Sequence, residues 1–203
     1  MPIAPEVFVP LPADRSLLPT VTHIRSTWIA ASVASLRKQG LFARYVHHLP
    51  RAHHDEIVHA IAGTWMPVEV GTIHYEACEA MGLSREETIQ RGQAVSSVIQ
   101  SSLLDVVVRA AKGVGVTPWT VFEQYPRILS RIFKGGAVGV TKHGPKEARI
   151  EFVGIPYSRF EYFRLGLRGV VTNVGARFCE TAYCTELRRS PAEMATRFAY
   201  SWA

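Results

Sequence analysis

The sequence has few cysteines and no long apolar run, and each shortage excludes a class of protein. Three cysteines, Cys78, Cys179 and Cys184, are too few and odd in number for a disulfide-stabilised secreted scaffold. No stretch of about 18 residues is free of charged or helix-breaking residues, so we expect no transmembrane helix. The first residues lack the basic segment and apolar core of a secretory signal. We therefore expect a cytoplasmic protein whose thiols are free and buried.

The sequence also lacks the short motifs that mark common catalytic sites. It contains no Gly-x-Ser-x-Gly nucleophile elbow, no Walker phosphate loop and no dinucleotide-binding fingerprint. A glycine-rich segment, from Gly113 to Pro118, joins two predicted helices instead of following a strand. These absences favour a non-enzymatic protein, although the sequence alone leaves the question of catalysis open.

Basic residues outnumber acidic ones, but they do not form a nucleic-acid surface. The chain has 23 Lys and Arg against 17 Asp and Glu, which gives a net charge of +6. Arg127, Arg131 and Lys134 share one predicted helix face, whereas most other cations are interspersed with acidic residues. Nucleic-acid binding requires a longer basic stripe, so we expect an acidic protein partner or a small ligand rather than nucleic acid.

Proline separates a short arm from the rest of the chain. Residues 1–20 contain five prolines, which prevent a helix and predict an extended arm docked through Val7, Phe8 and Val9. The whole chain is 47% apolar and 20% charged, which is ordinary for a globular protein. Its length suits one domain, which we place at residues 21–203.

Apolar spacing predicts helices in the first two thirds of the chain. Ser84 and Glu87 form a capping box, in which each side chain accepts from the backbone of the other residue. This box opens a long helix over about residues 85–112, whose later part is apolar on more than one face. Pro126 is expected to kink or split the helix that follows.

After Gly135 the apolar period changes from that of a helix to that of a strand. A hairpin comes first, then a helix opened by a second capping box at Ser158 and Glu161. Two more alternating runs follow, over residues 177–187 and 193–202. The sequence therefore predicts an α+β fold, in which N-terminal helices pack on a four-stranded antiparallel sheet in the order β-β-α-β-β.

Two groups of residues are candidates for a ligand-binding site. His74 and Cys78 are four residues apart on the apolar stripe of one predicted helix, so both point inward. Trp119, Phe122 and Tyr125 form an aromatic stripe on another helix, and small-molecule sites are mostly apolar with a few polar groups. The structural alternative for all five is a place in the core: a hydrogen-bonded histidine, a buried thiol and packed rings.

The remaining histidines and cysteines do not have metal-site spacing. Five histidines lie between residues 47 and 59. Those on the predicted helix are five or six residues apart, a spacing that spreads side chains around the helix. Cys179 and Cys184 are five apart on a predicted strand, so they face opposite sides of it. We therefore predict no metal site.

Several segments together resemble a known family. They are Gly40 to Tyr45, Met81 to Glu87, Gly92, Thr117 to Trp119, Arg131 to Gly136, Gly154 to Pro156, and Arg197 to Trp202. On these segments the chain resembles an uncharacterised small-domain family that is abundant in myxobacteria. That family is similar in layout to 4-vinyl-reductase-type sensor domains, to haem-NO-binding domains and to transport-particle (TRAPP) subunits.

The resemblance implies a domain without established catalysis that binds a small hydrophobic molecule between its helices and its sheet. Some sensor members carry a cysteine-rich metal site near the end, but here Cys179 and Cys184 form no Cys-x-x-Cys motif. Our leading hypothesis is a non-enzymatic cytoplasmic sensor or regulatory module that binds such a ligand or a protein partner.

Two alternatives stay open. The first is a structural or adaptor protein that forms a homodimer, because residues 95–111 are apolar on several sides and transport-particle subunits pair through helices. The second is a sensor or enzyme that carries haem or zinc and uses His74 or Cys78 as a ligand.

Overall fold

The computed structural model describes residues 5–14, 17–61, 63–96, 117–188 and 194–203. The helices are α1 (Ser26–Lys38), α2 (Phe42–His48), α3 (His54–Val58), α4 (Val68–Ala80), α5 (described over residues 85–96), α6 (Pro118–Glu123), α7 (Tyr125–Ile132) and α8 (Glu161–Gly175). The strands are β1 (Glu6–Val9), β2 (His23–Arg25), β3 (Trp65–Pro67), β4 (Phe133–Lys134), β5 (Ala137–Gly144), β6 (Glu147–Val153), β7 (Ala182–Glu186) and β8 (Ala195–Trp202).

The larger sheet is antiparallel throughout and has the strand order β1-β5-β6-β8-β7. Val140 of β5 lies opposite Ile150 of β6, which lies opposite Phe198 of β8. These three residues are buried, while Glu151 and Arg197 form an ion pair at 2.8 Å between neighbouring strands. Since successive side chains of a strand alternate between the two faces, one face of the sheet packs in the core and the other is more polar.

The predicted fold class is confirmed, but the predicted number of strands, four, is too low. The proline-rich arm adds Glu6–Val9 to the edge of the sheet, where β1 pairs with β5. A second sheet has three short strands in the order β3-β2-β4. Its strands are two or three residues long, which is too short for alternation to appear in the sequence.

Two of the local predictions are confirmed by the hydrogen bonds and helix bounds. The Ser84 amide donates to the Glu87 carboxylate at 2.8 Å, and the Glu87 amide donates to the Ser84 hydroxyl at 3.2 Å. The helix around Pro126 is split into α6 and α7. The long helix predicted over residues 85–112 is helical over 85–96, and its remainder lies outside the described residues.

The second predicted capping box is wrong. Ser158 lies in a short 3-10 helix, where its buried hydroxyl accepts from Thr196 at 2.9 Å. The first turn of α8 is instead capped by Glu79 of α4. Its carboxylate accepts from the amides of Glu161 at 3.1 Å and Tyr162 at 2.6 Å. A carboxylate at the start of a helix satisfies free amides and complements the helix dipole.

Helices α5 and α8 cross at very close range through glycines. A Cβ atom added to Gly92 of α5 would lie 1.9 Å from the carbonyl oxygen of Gly166, and one added to Gly169 of α8 would lie 2.1 Å from the carbonyl oxygen of Ile89. Both distances are far inside van der Waals contact, so only glycine allows the two backbones to approach this closely.

We expect Gly169→Ala to lower the free energy of unfolding by about 3 kcal/mol, because the new methyl group meets the backbone of α5. Gly166→Ala is the matched control on the same helix, since its Cβ would have open space within 4 Å. Alanine there should leave stability unchanged or raise it by up to about 1 kcal/mol through helix propensity. Urea unfolding followed by circular dichroism measures both variants, and equal effects would contradict the tight crossing.

Candidate functional site

His74 is fully buried in α4 and has hydrogen-bond partners at both ring nitrogens. Its Nδ1 shares a hydrogen bond with the Tyr45 hydroxyl of α2 at 2.8 Å, and its Nε2 shares one with the Ser32 hydroxyl of α1 at 3.1 Å. The Cys78 sulfur lies 3.7 Å from the same Nε2. The pair predicted from its four-residue spacing therefore does meet inside the helical layer.

The site keeps both His74 and Cys78 in their neutral forms. Burial of the imidazole, with a further contribution from the positive charge of Arg91, lowers the pKa of His74 to about 3. Burial raises the pKa of the Cys78 thiol to about 12. The thiolate is the reactive form of cysteine, so Cys78 is a poor nucleophile at neutral pH. Burial also raises the pKa of Tyr45.

The polar cluster continues from Cys78 towards helices α5 and α8. The Tyr162 hydroxyl of α8 lies near the Cys78 thiol, with which it borders one cavity, and accepts from Arg91 Nε of α5 at 3.1 Å. Arg91 Nη1 in turn donates to the side-chain oxygen of Gln39. A chain of side-chain contacts thus links helices α2, α4, α8 and α5 to Gln39 at the C-terminal end of α1.

Trp119, Phe122 and Tyr125 lie apart from this cluster and pack on the sheet. The Trp119 ring is 5.0 Å from that of Trp202, and the Phe122 ring is 5.1 Å from that of Tyr200. The Tyr125 ring contacts Phe152. In the described part of the chain, no ring contact joins these three residues to His74. The structure therefore brings the five predicted ligand-binding residues into two groups rather than one.

Three cavities border the helical part of the fold and the proline-rich arm. One of about 40 Å³ lies between α1, α5 and α8 and includes Trp28, Ser32 and Arg91 in its lining. A second of about 150 Å³ is bordered by Cys78 and Tyr162. The third, of about 350 Å³, is lined mostly by prolines and apolar residues near Leu129. None of the three is lined by a histidine.

Arg91 and Tyr162 are site residues that the sequence reasoning missed. Thr88, Arg91 and Val95 are all buried and follow one another at helical spacing, so they share the inward face of α5. The position of Arg91 on an otherwise apolar stripe could have identified it as a site residue, because arginine is rarely buried unless it is paired.

The histidines between residues 47 and 59 are mostly engaged with local partners. His54 Nε2 lies 2.8 Å from the Leu49 carbonyl, and His53 Nδ1 lies 3.3 Å from the Glu56 carboxylate. Across the described ranges, no three histidine, cysteine or acidic side chains come together as metal ligands. All three cysteines are free thiols.

Two surveys at the sequence level find nothing similar: no family model matches, and no curated protein matches. Solved structures do match. The Fe(II) unliganded H-NOX protein from K. algicida has a TM-score of 0.65 at 10% identity, covering 89% of this chain and 97% of that one. A T. tengcongensis H-NOX mutant has a TM-score of 0.56 at 8% identity, covering 88% and 97%. A structure solved to probe heme distortion in the H-NOX family has a TM-score of 0.60 at 9% identity, covering 88% and 95%.

At these identities the similarity shows the fold, and the chain has the fold of the H-NOX, or haem-NO-binding, domains. Of the groups that the sequence resembles in layout, this is the one that the comparison supports. The resemblance to the myxobacterial family, the vinyl-reductase-type domains and the transport-particle subunits stays a prediction. None of the helices in the described ranges combines the length and apolar character needed to span a membrane.

The described residues do not fit a haem. All histidines and cysteines of the chain lie in the described ranges, so no nitrogen or thiolate ligand of these types is hidden elsewhere. His74 has both ring nitrogens engaged, and the cavity between α1, α5 and α8 measures about 40 Å³. Pockets for cofactors and drug-sized ligands are usually at least about 300 Å³. The cavity of about 350 Å³ has neither histidine nor cysteine in its lining.

We expect acid to destabilise the protein through His74. The unfolded histidine has a pKa of about 6.5, while burial lowers the folded value to about 3. Below pH 6.5 the unfolded chain therefore binds a proton that the folded chain does not. The free energy of unfolding falls by about 1.4 kcal/mol per pH unit, or about 2 kcal/mol between pH 6.5 and 5.

Urea unfolding at pH 7.5, 6.5, 5.8 and 5.0 measures this slope. His74→Gln should be less stable at neutral pH, yet it should lose this part of the pH dependence. The exposed His48 supplies the control, since His48→Gln should keep the wild-type slope. An unchanged slope in His74→Gln would show that the ring is not held neutral.

Proposed function

We propose that this chain is a non-enzymatic sensor or regulatory module with the H-NOX fold, and that it works without a haem on His74. The observation that carries the proposal is the double hydrogen bonding of the buried His74 ring, at 2.8 Å to Tyr45 and 3.1 Å to Ser32. Coordination of an iron atom by this imidazole would require one of these two hydrogen bonds to break.

Fold similarity supports the sensor part of the proposal. One of the similar structures, with a TM-score of 0.52 and 9% identity, was solved to study the mechanism of H-NOX activation. In this chain the helical layer contains a cluster of buried polar side chains, which includes Tyr45, His74 and Arg91. Such a layer suits a module whose helices repack when a small molecule or a partner protein binds, provided that the two packings differ in affinity.

The chemistry of the buried thiols supports a non-enzymatic role. Burial raises the pKa values of both Cys78 and Cys184 to about 12. Nucleophilic catalysis by cysteine depends on a lowered pKa or an adjacent base. The histidine beside Cys78 is itself a very weak base, because its pKa is lowered to about 3.

A hydrophobic ligand near Trp119, Phe122 and Tyr125 and an acidic protein partner both remain proposals. The adaptor alternative depends on residues 95–111, of which only 95 and 96 lie within the described part of the chain. It therefore stays a prediction, which light scattering of the purified protein checks.

Haem loading tests the proposal directly. The full chain is expressed with added iron and 5-aminolevulinate, purified, and examined by absorbance, by the pyridine haemochromogen assay and by native mass spectrometry. We expect far less than one haem per chain, because the described interior has neither the space nor a free axial nitrogen.

The matched variant is His74→Ala, which should have the same small haem content as the wild type. A stoichiometric haem whose Soret band shifts or disappears in His74→Ala would overturn the proposal in favour of a haem sensor. Native mass spectra should instead show the bare chain or an adduct that is not haem.

A further inference from the structure

Arg91 is a buried charge with an unsatisfied donor. The residue is 3% exposed. Its Nε donates to the Tyr162 hydroxyl at 3.1 Å and its Nη1 donates to Gln39, but its Nη2 has no hydrogen-bond partner. An unpaired charge away from water costs several kcal/mol, so buried cations are normally paired with an anion.

The described part of the chain places no acidic side chain against the Arg91 guanidinium. Within the described residues, no carboxylate forms an ion pair with Arg91. Glu87, one turn earlier on α5, is close enough for Arg91 to contribute to lowering its pKa, after the larger effect of its hydrogen bonds from Ser84. Those bonds hold the exposed Glu87 side chain at the N-terminal cap of the helix. Among the described residues, none therefore neutralises the charge of Arg91 where it is buried.

A second unsatisfied donor lies on the helix that packs opposite. The buried hydroxyl of Ser35 has no hydrogen-bond partner. On α1, Ser35 is three residues after Ser32, which borders the cavity of about 40 Å³, and four residues before Gln39, which accepts from Arg91. Residues at these spacings share one face of a helix. This spacing therefore places the Ser35 hydroxyl on the face of α1 that carries Ser32 and Gln39, next to the residues that line the cavity.

The adjoining cavity has the size and lining for a small ion. Arg91, Thr88 and Tyr162 supply its polar border, and apolar side chains such as Phe163 and Val95 make up most of the rest. A water molecule occupies about 10–15 Å³ on this measure. A cavity of about 40 Å³ therefore has room for about three non-hydrogen atoms.

We propose that the contact between α1 and α5 is a binding site for a small monovalent anion, held by the guanidinium of Arg91 and the hydroxyl of Ser35. The ligand class is a halide or a small carboxylate such as formate. A single negative charge neutralises Arg91 and accepts from both unsatisfied donors, whereas a water molecule leaves the charge uncompensated. Sulfate and phosphate, with five non-hydrogen atoms and a larger charge to desolvate, do not fit.

This site goes beyond the proposed sensor function and is tested with different variants. It rests on Arg91 and Ser35, whereas the proposal that no haem binds rests on the hydrogen bonds of His74 and on the small size of the cavity. Haem loading is compared with His74→Ala, and anion binding with Arg91→Met and Ser35→Ala, so the failure of one proposal can be distinguished from the failure of the other.

Bromide is the most direct probe, because it can be located by its anomalous scattering. Crystals of the full chain grown in sodium bromide should show an anomalous peak within hydrogen-bond distance of the Arg91 guanidinium, and crystals of Arg91→Met should lack it. A peak in neither crystal, or an ordered water that persists at high bromide, would overturn the proposal.

Urea unfolding measures the affinity in solution. At a bromide concentration ten times its dissociation constant, binding to the folded state alone lowers the unfolding equilibrium constant about elevenfold. We expect this effect for bromide, chloride and formate in the wild type. In Arg91→Met it should be absent, so subtracting the response of that variant removes general salt effects. Butyrate, which is larger than formate, should bind more weakly because the cavity has no room for its chain. Tighter binding of butyrate than of formate would contradict a site for a small ion.

The variants distinguish loss of bromide binding from loss of the fold. Without added anions, Arg91→Met should be at least as stable as the wild type, because it removes an unpaired buried charge. Ser35→Ala keeps the charge of Arg91 and should weaken bromide binding severalfold. If Arg91→Met does not fold, Ser35→Ala replaces it as the test variant. Arg127, which is exposed on α7, gives the control, and Arg127→Met should respond to bromide as the wild type does. Equal bromide responses in wild type, Ser35→Ala and Arg91→Met would contradict the site.

Discussion

The close crossing of α5 and α8 is the constraint on which the helical layer depends. Gly92 and Gly169 let the two backbones touch, since a Cβ at either position would lie about 2 Å from a carbonyl oxygen of the other helix. That approach brings Arg91 of α5 to the hydroxyl of Tyr162 on α8. Among the described residues, the cavity between α1, α5 and α8 measures about 40 Å³. The glycines therefore determine both how the interior is filled and which polar groups meet in it.

What fills this interior is polar as well as apolar. Tyr45, His74 and Cys78 are kept neutral by burial, because the pKa of the histidine is lowered and those of the other two are raised. Arg91 is the exception, a cation among neutral hydrogen-bonding groups. Networks of this kind favour one arrangement of helices over others, since every partner lost leaves an unsatisfied buried group. A group that binds to the unsatisfied Nη2 of Arg91 therefore changes the stability of this arrangement of helices.

The sequence predicts features that depend on neighbouring residues and misses those that depend on distant ones. The capping box of Ser84 and Glu87 and the split at Pro126 follow from local chemistry, and the structure has both. The cap of α8 could not be predicted, because its acceptor is Glu79 from another helix. His74 and Cys78 were placed on the inward face by spacing, but their partners come from α1, α2 and α8. Arg91 was missed because arginine is usually solvated.

The arm at the start of the described chain has a consequence for self-association. By pairing with residues 140–142, strand β1 covers the middle of the eight-residue edge of β5. Its own outer edge is only four residues long and carries the ion pair of Glu6 with Lys142 at 3.3 Å. Long, uncharged edges invite other chains to add strands, while short and charged ones discourage it. The prolines that follow β1 end the strand early and so keep its outer edge too short to pair well with a second chain.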